Sequence, residues 1–583
     1  MANFRERLQD ILANTSAKLR ELTFACGKAQ KQQQTRQTAE ISKVLVKRPS
    51  RRRSICERCP DTLLDHAVWT FCQQLNRYTA ADIASLPTDV SQKVLDQLIR
   101  SNKLDLETLK LFCGQAIWSL SLTDYPTAVN DSWIRSLYAA HLKRVHLSNT
   151  EKITDASLRL LGQHTGLADL RLEECPALTD AGLIHLSGLA SLQKLSLASC
   201  EGFTSAGLQL LSTLSKLDSL KLELCNVSKL DFLSGMLRIR DLDLGWCPEV
   251  TSETVTDIAP LTCLSSLQLA RTKVGDEGIR SLHALHDLRR LGLAGTDITS
   301  GSGELLASFT NLESLDLQWC SIDDLGVKQL SALYQLSDLN LGYTKAACAG
   351  VSALTTLSAL SRLNLDSCDV TDLGCSALPK LTALETLNLS DTKVTGEGLE
   401  RFSRLHQLTN LNLSYTDVPD EGLLHLRQLT CLQSLNLETR LFTDQGLRNI
   451  TTLTNLQSLD LFGAKVTDTG CVYLRRLKRM ECLELCGGHV TDLGVQQICH
   501  LRALSSLSLA QNFRITDRSA PHLASLTRLT SLNLNQSKFT GNGTHALHPL
   551  KKLEFLGLSS TKVRQHHAER LQVAMPSLQT VTV

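Results

Sequence analysis

A chain of 583 residues with a formal charge of +2 and 42% hydrophobic residues is too long for one core, since single cores stop growing near ~250–300 residues. It must hold several domains or a repeat array. No run approaches the ~18 consecutive apolar residues of a membrane-spanning helix, so no membrane partner is expected.

Residues 1–60 carry fourteen Lys/Arg and five Asp/Glu, a net of +9, which leaves −7 for the rest. A basic segment therefore precedes a mildly acidic body. Phe4, Leu8, Ile11, Leu12, Leu19 and Leu22 have the spacing of an amphipathic helix over residues 3–24. Residues 27–55 are rich in Gln, Lys and Arg and predict a disordered linker. Within them Lys47-Arg48-Pro49-Ser50-Arg51-Arg52-Arg53-Ser54 reads as a nuclear-localisation run, an acidic-partner patch or a solvated linker. Cys56-x-x-Cys59 has no second pair at zinc spacing, so no metal or cofactor is expected. Arg5, Glu6 and Arg7 stand where a secretory apolar core would begin. The nineteen cysteines are then expected to be reduced thiols of a cytoplasmic, or nuclear, protein. Residues 61–140 read as helices around Trp69, Trp118 and Trp133.

From residue 141 one pattern recurs: LxxLxLxx(C/T/N)xxTDxGLxxLxxL. Nineteen strand starts run from Leu142 to Leu578, and every step from Leu264 to Leu504 is 24 residues. The period lies within the ~20–29 residues of leucine-rich repeats. LxL is a strand with both leucines inward, and GLxxLxxL has helical spacing against the same core. The Gly predicts a tight turn and Thr-Asp a helix N-cap. The small ninth residue (Cys175, Cys200, Cys225, Cys247, Cys320, Cys368) turns inward. One unit cannot bury its own face, so the units stack and the first needs a cap. The predicted fold is α/β: a right-handed leucine-rich-repeat solenoid, a horseshoe of about 19 strands, with an N-terminal α-helical cap.

Four positions per repeat (third, fifth, seventh and eighth) should line the concave sheet face. The eighth row holds Trp246, Trp319, Tyr343 and Tyr415, with Phe462 one position earlier. Exposed aromatics of this kind are interface anchors. A fifth-row series of amides from Asn340 to Asn436 reads as a backbone-binding ladder or, more plainly, as a preference of the repeat. Charge separates the repeats. Those starting at 142–288 balance six acids with six bases. Those starting at 312–480 hold Asp316, Asp338, Asp366, Asp391, Glu438, Asp460 and Glu484 against Arg362 alone. A protein target with a basic segment is favoured there, and nucleic acid is disfavoured. The +9 tail is itself a candidate intramolecular stand-in for that segment.

The sequence holds no GxxxxGK[ST], HExxH, GxSxG or GxGxxG, and its histidines lack a triad context, so no catalytic residue is expected. Cys482, Glu484 and Cys486 are spaced ~6.8 Å apart along one strand face, too far for one metal. The chain is expected to be a monomer outside complexes.

Residues 86–118 hold Leu86-Pro87-x-Asp89-Val90-x-x-x-Val94-Leu95-x-x-Leu98, then Phe112-Cys113 and Trp118. This resembles an F-box, with Trp118 farther from Cys113 than the motif places it. Segments such as LNLETRLFTDQGL and LDLFGAKVTDTG resemble a plant-type intracellular F-box/leucine-rich-repeat family. The resemblance implies Leu86, Pro87, Val90, Val94, Leu95 and Leu98 as contacts to an SCF adaptor, with a cullin beyond it. It implies a substrate receptor in ubiquitin-dependent protein degradation. The competing expectation is a stand-alone scaffold whose helical region is only a cap. The domains are then 1–60, a basic segment; 61–140, a cap with an F-box-like motif at 82–118; and 141–583, the repeats.

Overall fold

The computed structural model describes residues 86–112, 117–123, 128–137, 140–439 and 441–583, with scattered positions from 68 to 83. The expectations for residues 1–60 fall outside them. Residues 64–583 form one compact unit.

The repeat from Leu384 shows how sequence becomes fold. Leu384, Leu387 and Leu389 are at most 1% exposed, while Thr386 and Asn388, on either side of Leu387, are half-buried and face outward. The strand Thr386–Asn388 pairs in parallel with the strands before and after it, 24 residues away: Arg362↔Thr386 and Thr386↔Asn410. A second tie follows at Thr371↔Lys393. The chain returns through short α or 3-10 helices, such as Glu397–Leu399 and Asp468–Leu474. Such a crossover is what parallel strands require. Among the described residues twenty strands, β1 (Ser119–Ser121) to β20 (Thr580–Thr582), make one sheet.

The first strand adds one to the nineteen repeat starts. Ile117, Leu120 and Leu122 are fully or almost fully buried, and β1 pairs Leu120 with Val145. The sheet thus begins inside the segment expected to be all helical. Helix α1 (Thr88–Arg100) covers its free edge. The Gln92 side chain, 2% exposed, donates to Ser119 O at 2.8 Å and accepts from Ser119 N at 3.1 Å. It pairs with β1 as a neighbouring peptide group would, which satisfies an edge that burial would otherwise leave orphaned. Trp133 lies in the core at 3% exposure. Trp118 is half-buried under the Arg144 guanidinium, 4.4 Å from its ring centre.

Two side-chain ladders clamp neighbouring repeats. At the ninth position Cys200, Cys225, Cys247, Cys320 and Cys368 donate S–H to Leu172, Leu197, Leu222, Leu293 and Leu341 carbonyls at 3.0–3.1 Å. Across the core, each Thr-Asp-x-Gly motif works in a way that differs from expectation. Thr443, Thr467 and Thr491 are N-caps, but Asp reaches the next repeat. Asp444 accepts from Thr467 N at 2.8 Å and Thr467 Oγ1 at 2.6 Å. Asp372 binds Thr395 and Asp468 binds Thr491 in the same way. Gly398 and Gly494 make no left-handed turn. A Cβ there would stand 2.5 Å from the Asp372 or Asp468 carboxylate, so glycine answers a close approach between repeats.

Candidate functional site: the outward face of the sheet

The outward face is shaped by a turn that recurs in seven successive units, from Asp316 to Asp460. The fifth residue folds its side-chain oxygen back to the N–H two residues on: Asn388 to Ser390 at 3.0 Å, Asn412 to Ser414 at 3.0 Å, Asp460 to Phe462 at 3.0 Å. The amide row is therefore a structural device first, with Asn364 also donating to Asn340 at 2.7 Å. At the eighth position the backbone turns left-handed, with φ of 59° at Trp246, 64° at Trp319, 59° at Tyr343 and 57° at Tyr415. Bulky residues rarely adopt this conformation. The turn itself gives no reason for an aromatic ring, so these rings stand on the face against local preference.

The rings are organised around a residue that sequence reasoning missed. Trp319 and Tyr343 stack with centroids 3.8 Å apart and planes at 11°. The Arg271 guanidinium lies 5.5 Å from the Trp246 ring and 5.6 Å from the Trp319 ring. Arg271 occupies the same eighth position one repeat after Trp246, and reading that column in order would have exposed it. Tyr415 is 64% exposed and its hydroxyl donates to Glu438. Phe462 is half-buried.

The acidic residues divide by their partners. Arg362 neutralises Asp338, with its Nη2 2.9 Å away. Among the described residues Asp316, Asp366, Asp391, Glu438, Asp460 and Glu484 have no basic partner. Asp366 and Asp391 accept from serine hydroxyls, as in Ser390 to Asp366 at 2.6 Å and Ser367 to Asp391 at 2.9 Å. Glu438, Asp460 and Glu484 occupy successive repeats. Burial pushes the Glu484 carboxyl up to about 7, with Asp460 and Glu438 adding repulsion. Burial likewise raises Asp460, Asp316, with Asp338 adding to it, and Glu438, with Asp460 adding to it. Among the described residues no group of three His, Cys, Asp or Glu can hold a metal.

At the other end, Val94, Leu95 and Leu98 are at most 1% exposed and Val90 packs against the same core. Leu86 is half-buried and Pro87 exposed. Among the described residues no helix is long and apolar enough to cross a membrane.

Leucine-rich-repeat family profiles match residues 358–418 and, separately, 261–282, 310–331 and 452–474. No curated protein matches the chain. Among solved structures it is similar to an internalin (inlF) from Listeria monocytogenes, 26% identical over 59% of this chain and 92% of that one, with a TM-score of 0.44. It is similar to a leucine-rich-repeat protein of Leptospira interrogans, 19% identical over 82% and 98%, with a TM-score of 0.38. It is also similar to the plant peptide hormone receptor RGFR1, solved in complex with RGF2, 15% identical over 77% and 90%, with a TM-score of 0.38. The fold is a leucine-rich-repeat solenoid.

Proposed function

We propose that this chain is a non-enzymatic protein-recognition scaffold that holds a basic segment of its partner against the sheet face of the repeats starting at 312–480. The observation that carries this is a set of six carboxylates on one sheet face, in six of the eight repeats starting at 312–480, that have no basic partner among the described residues. Burial takes solvation from Asp316, Glu438, Asp460 and Glu484 and raises their proton affinities, with repulsion from acidic neighbours adding to it at Asp316, Glu438 and Glu484. A partner's lysine or arginine relieves both terms, and such complementarity gives specificity and fast association. The aromatic anchors beside the row supply the apolar contact that charge alone lacks.

The test is binding of a short oligolysine peptide and an oligoglutamate peptide of equal length to the full chain. Oligolysine is expected to bind, less tightly as salt rises, and to lose at least about tenfold in affinity to the Glu438→Gln/Asp460→Asn/Glu484→Gln variant. Equal affinity of both proteins for oligolysine would overturn the reading. Removing residues 1–60 is expected to raise that affinity if the basic tail competes for the same row.

Adaptor docking at residues 86–98, and with it a role in an SCF ubiquitin ligase, draws less support. A side chain at most 1% exposed offers a partner no area, and Val94, Leu95 and Leu98 are of that kind. Leu86 and Pro87 are what remains for docking. Co-purification of adaptor and cullin, lost on Leu86→Ala/Pro87→Ala, would reinstate that role.

A further inference from the structure

Arg271 differs from the other bases of the sheet face. Its backbone is left-handed, with φ of 59°, and its N–H is fixed to Ala294 O at 2.7 Å. Its stem crosses Gly295, where a Cβ would stand 2.7 Å from Arg271 Cδ. Its guanidinium then rests between the Trp246 and Trp319 rings. Among the described residues it has no carboxylate partner. The seventh and eighth positions beneath it are Ala270, Ala294 and Gly295, and Gly292 lies in the adjoining strand. The next repeat carries Gln318 at the seventh position and Trp319 at the eighth, which closes that floor on one side. A planar cation is thus held by aromatic faces over a floor that small side chains leave open.

Holding the guanidinium this way removes most of the conformational freedom it would lose on binding, and its N–H fork remains free. Such a fork matches a carboxylate in two parallel hydrogen bonds. Asp243 and Asp316 stand at the fifth position of the Trp246 and Trp319 repeats, on either side of the Arg271 repeat in the sheet. A singly charged carboxylate is tolerated there better than a phosphoryl group of about −1.5 to −2. We infer that Arg271, positioned by Trp246, Gly295 and Trp319, receives a carboxylate of the partner polypeptide. The inference rests on the sheet face being the partner-binding surface, and it gives the partner a polarity. Its acidic group sits at the Trp246–Trp319 end, and its basic stretch starts about 10 Å away, two repeats on.

The experiment is selection of displayed random peptides on the full chain, followed by affinity measurements on the enriched sequences. Enriched peptides are expected to join a Lys/Arg stretch to an Asp or Glu. Changing that acid to its amide is expected to weaken binding about tenfold on the wild-type chain and to change nothing on Arg271→Ala. Arg271→Lys keeps the charge but not the fork and is expected to behave like Arg271→Ala. Gly295→Ala, which displaces the arginine stem, is expected to lose the same preference. Amide substitution that weakens binding equally on all these proteins, or enriched peptides without an acidic residue, would overturn the inference while leaving the basic-segment reading intact. Enriched peptides that bind a variant with Asp316, Asp366, Asp391, Glu438, Asp460 and Glu484 all changed to their amides as well as wild type would overturn both.

Discussion

The same repeats carry carboxylates in two places, and the two rows behave oppositely. In the Thr-Asp-x-Gly row each aspartate meets the next repeat's threonine N–H and hydroxyl, as Asp444 does at 2.8 and 2.6 Å. On the sheet face Glu438, Asp460 and Glu484 face one another with no base among the described residues to balance them. The proton affinities follow. Burial opposes ionisation of Asp276, but hydrogen bonds from Ser302 and Thr299 outweigh it and hold the carboxyl below its usual range. Burial pushes Glu484 up to about 7, and its acidic neighbours add to the shift. The carboxylates of the Thr-Asp-x-Gly row tie one repeat to the next, whereas those on the sheet face are balanced by no base among the described residues.

The largest separation of the rows should appear in stability. Asp372→Ala strips Thr395 N–H and Oγ1 of their acceptor and is expected to cost about 1–3 kcal/mol in urea unfolding, whereas Glu484→Gln is expected to cost nothing at pH 8. Gly398→Ala drives a Cβ to 2.5 Å from Asp372 and is expected to cost about 1–3 kcal/mol. In an Asp372→Ala background it should cost clearly less, because the two residues share one contact; full additivity would show that the glycine answers something else. On the face, Trp319→Ala is expected to weaken peptide binding by about 2 kcal/mol, with the urea midpoint little changed. The smallest effect is in pH. A carboxyl at about 7 in the folded chain and 4.5 unfolded makes the folded state hold more protons, so stability falls as pH rises through that window. Asp276 acts with the opposite sign, since its lowered proton affinity gives stability that is lost as the solution turns acidic. Glu484→Gln should flatten the loss between pH 4.5 and 7, and an unchanged slope would place the titrating group elsewhere.

Most of the fold was legible because the 24-residue step repeats the same inward leucines. The inward ninth-position thiols and the Thr caps were legible for the same reason. What was not legible depends on neighbours in space. The unit that holds β1 begins with Ile117 in place of leucine and is preceded by no Thr-Asp-x-Gly. The motif's glycine reads as a turn in sequence because the carboxylate that excludes its Cβ comes from the preceding repeat. The acids are readable from the four outward positions of the repeat, but the pairing of Asp338 with Arg362 is not. Residue type marks out the aromatics and hides Arg271, although the eighth column contains Trp246, Arg271, Trp319, Tyr343 and Tyr415 together.

The most direct measurement is titration calorimetry of the oligolysine peptide at pH 7 in two buffers of different ionisation enthalpy. A cation bound at the row lowers the proton affinity of Glu484, which sits at about 7 in the free chain. Binding should therefore release protons to the buffer, and the apparent enthalpy should differ between buffers for the wild type but not for Glu438→Gln/Asp460→Asn/Glu484→Gln. Binding with the same enthalpy in both buffers would contradict the claim that these carboxylates hold the partner.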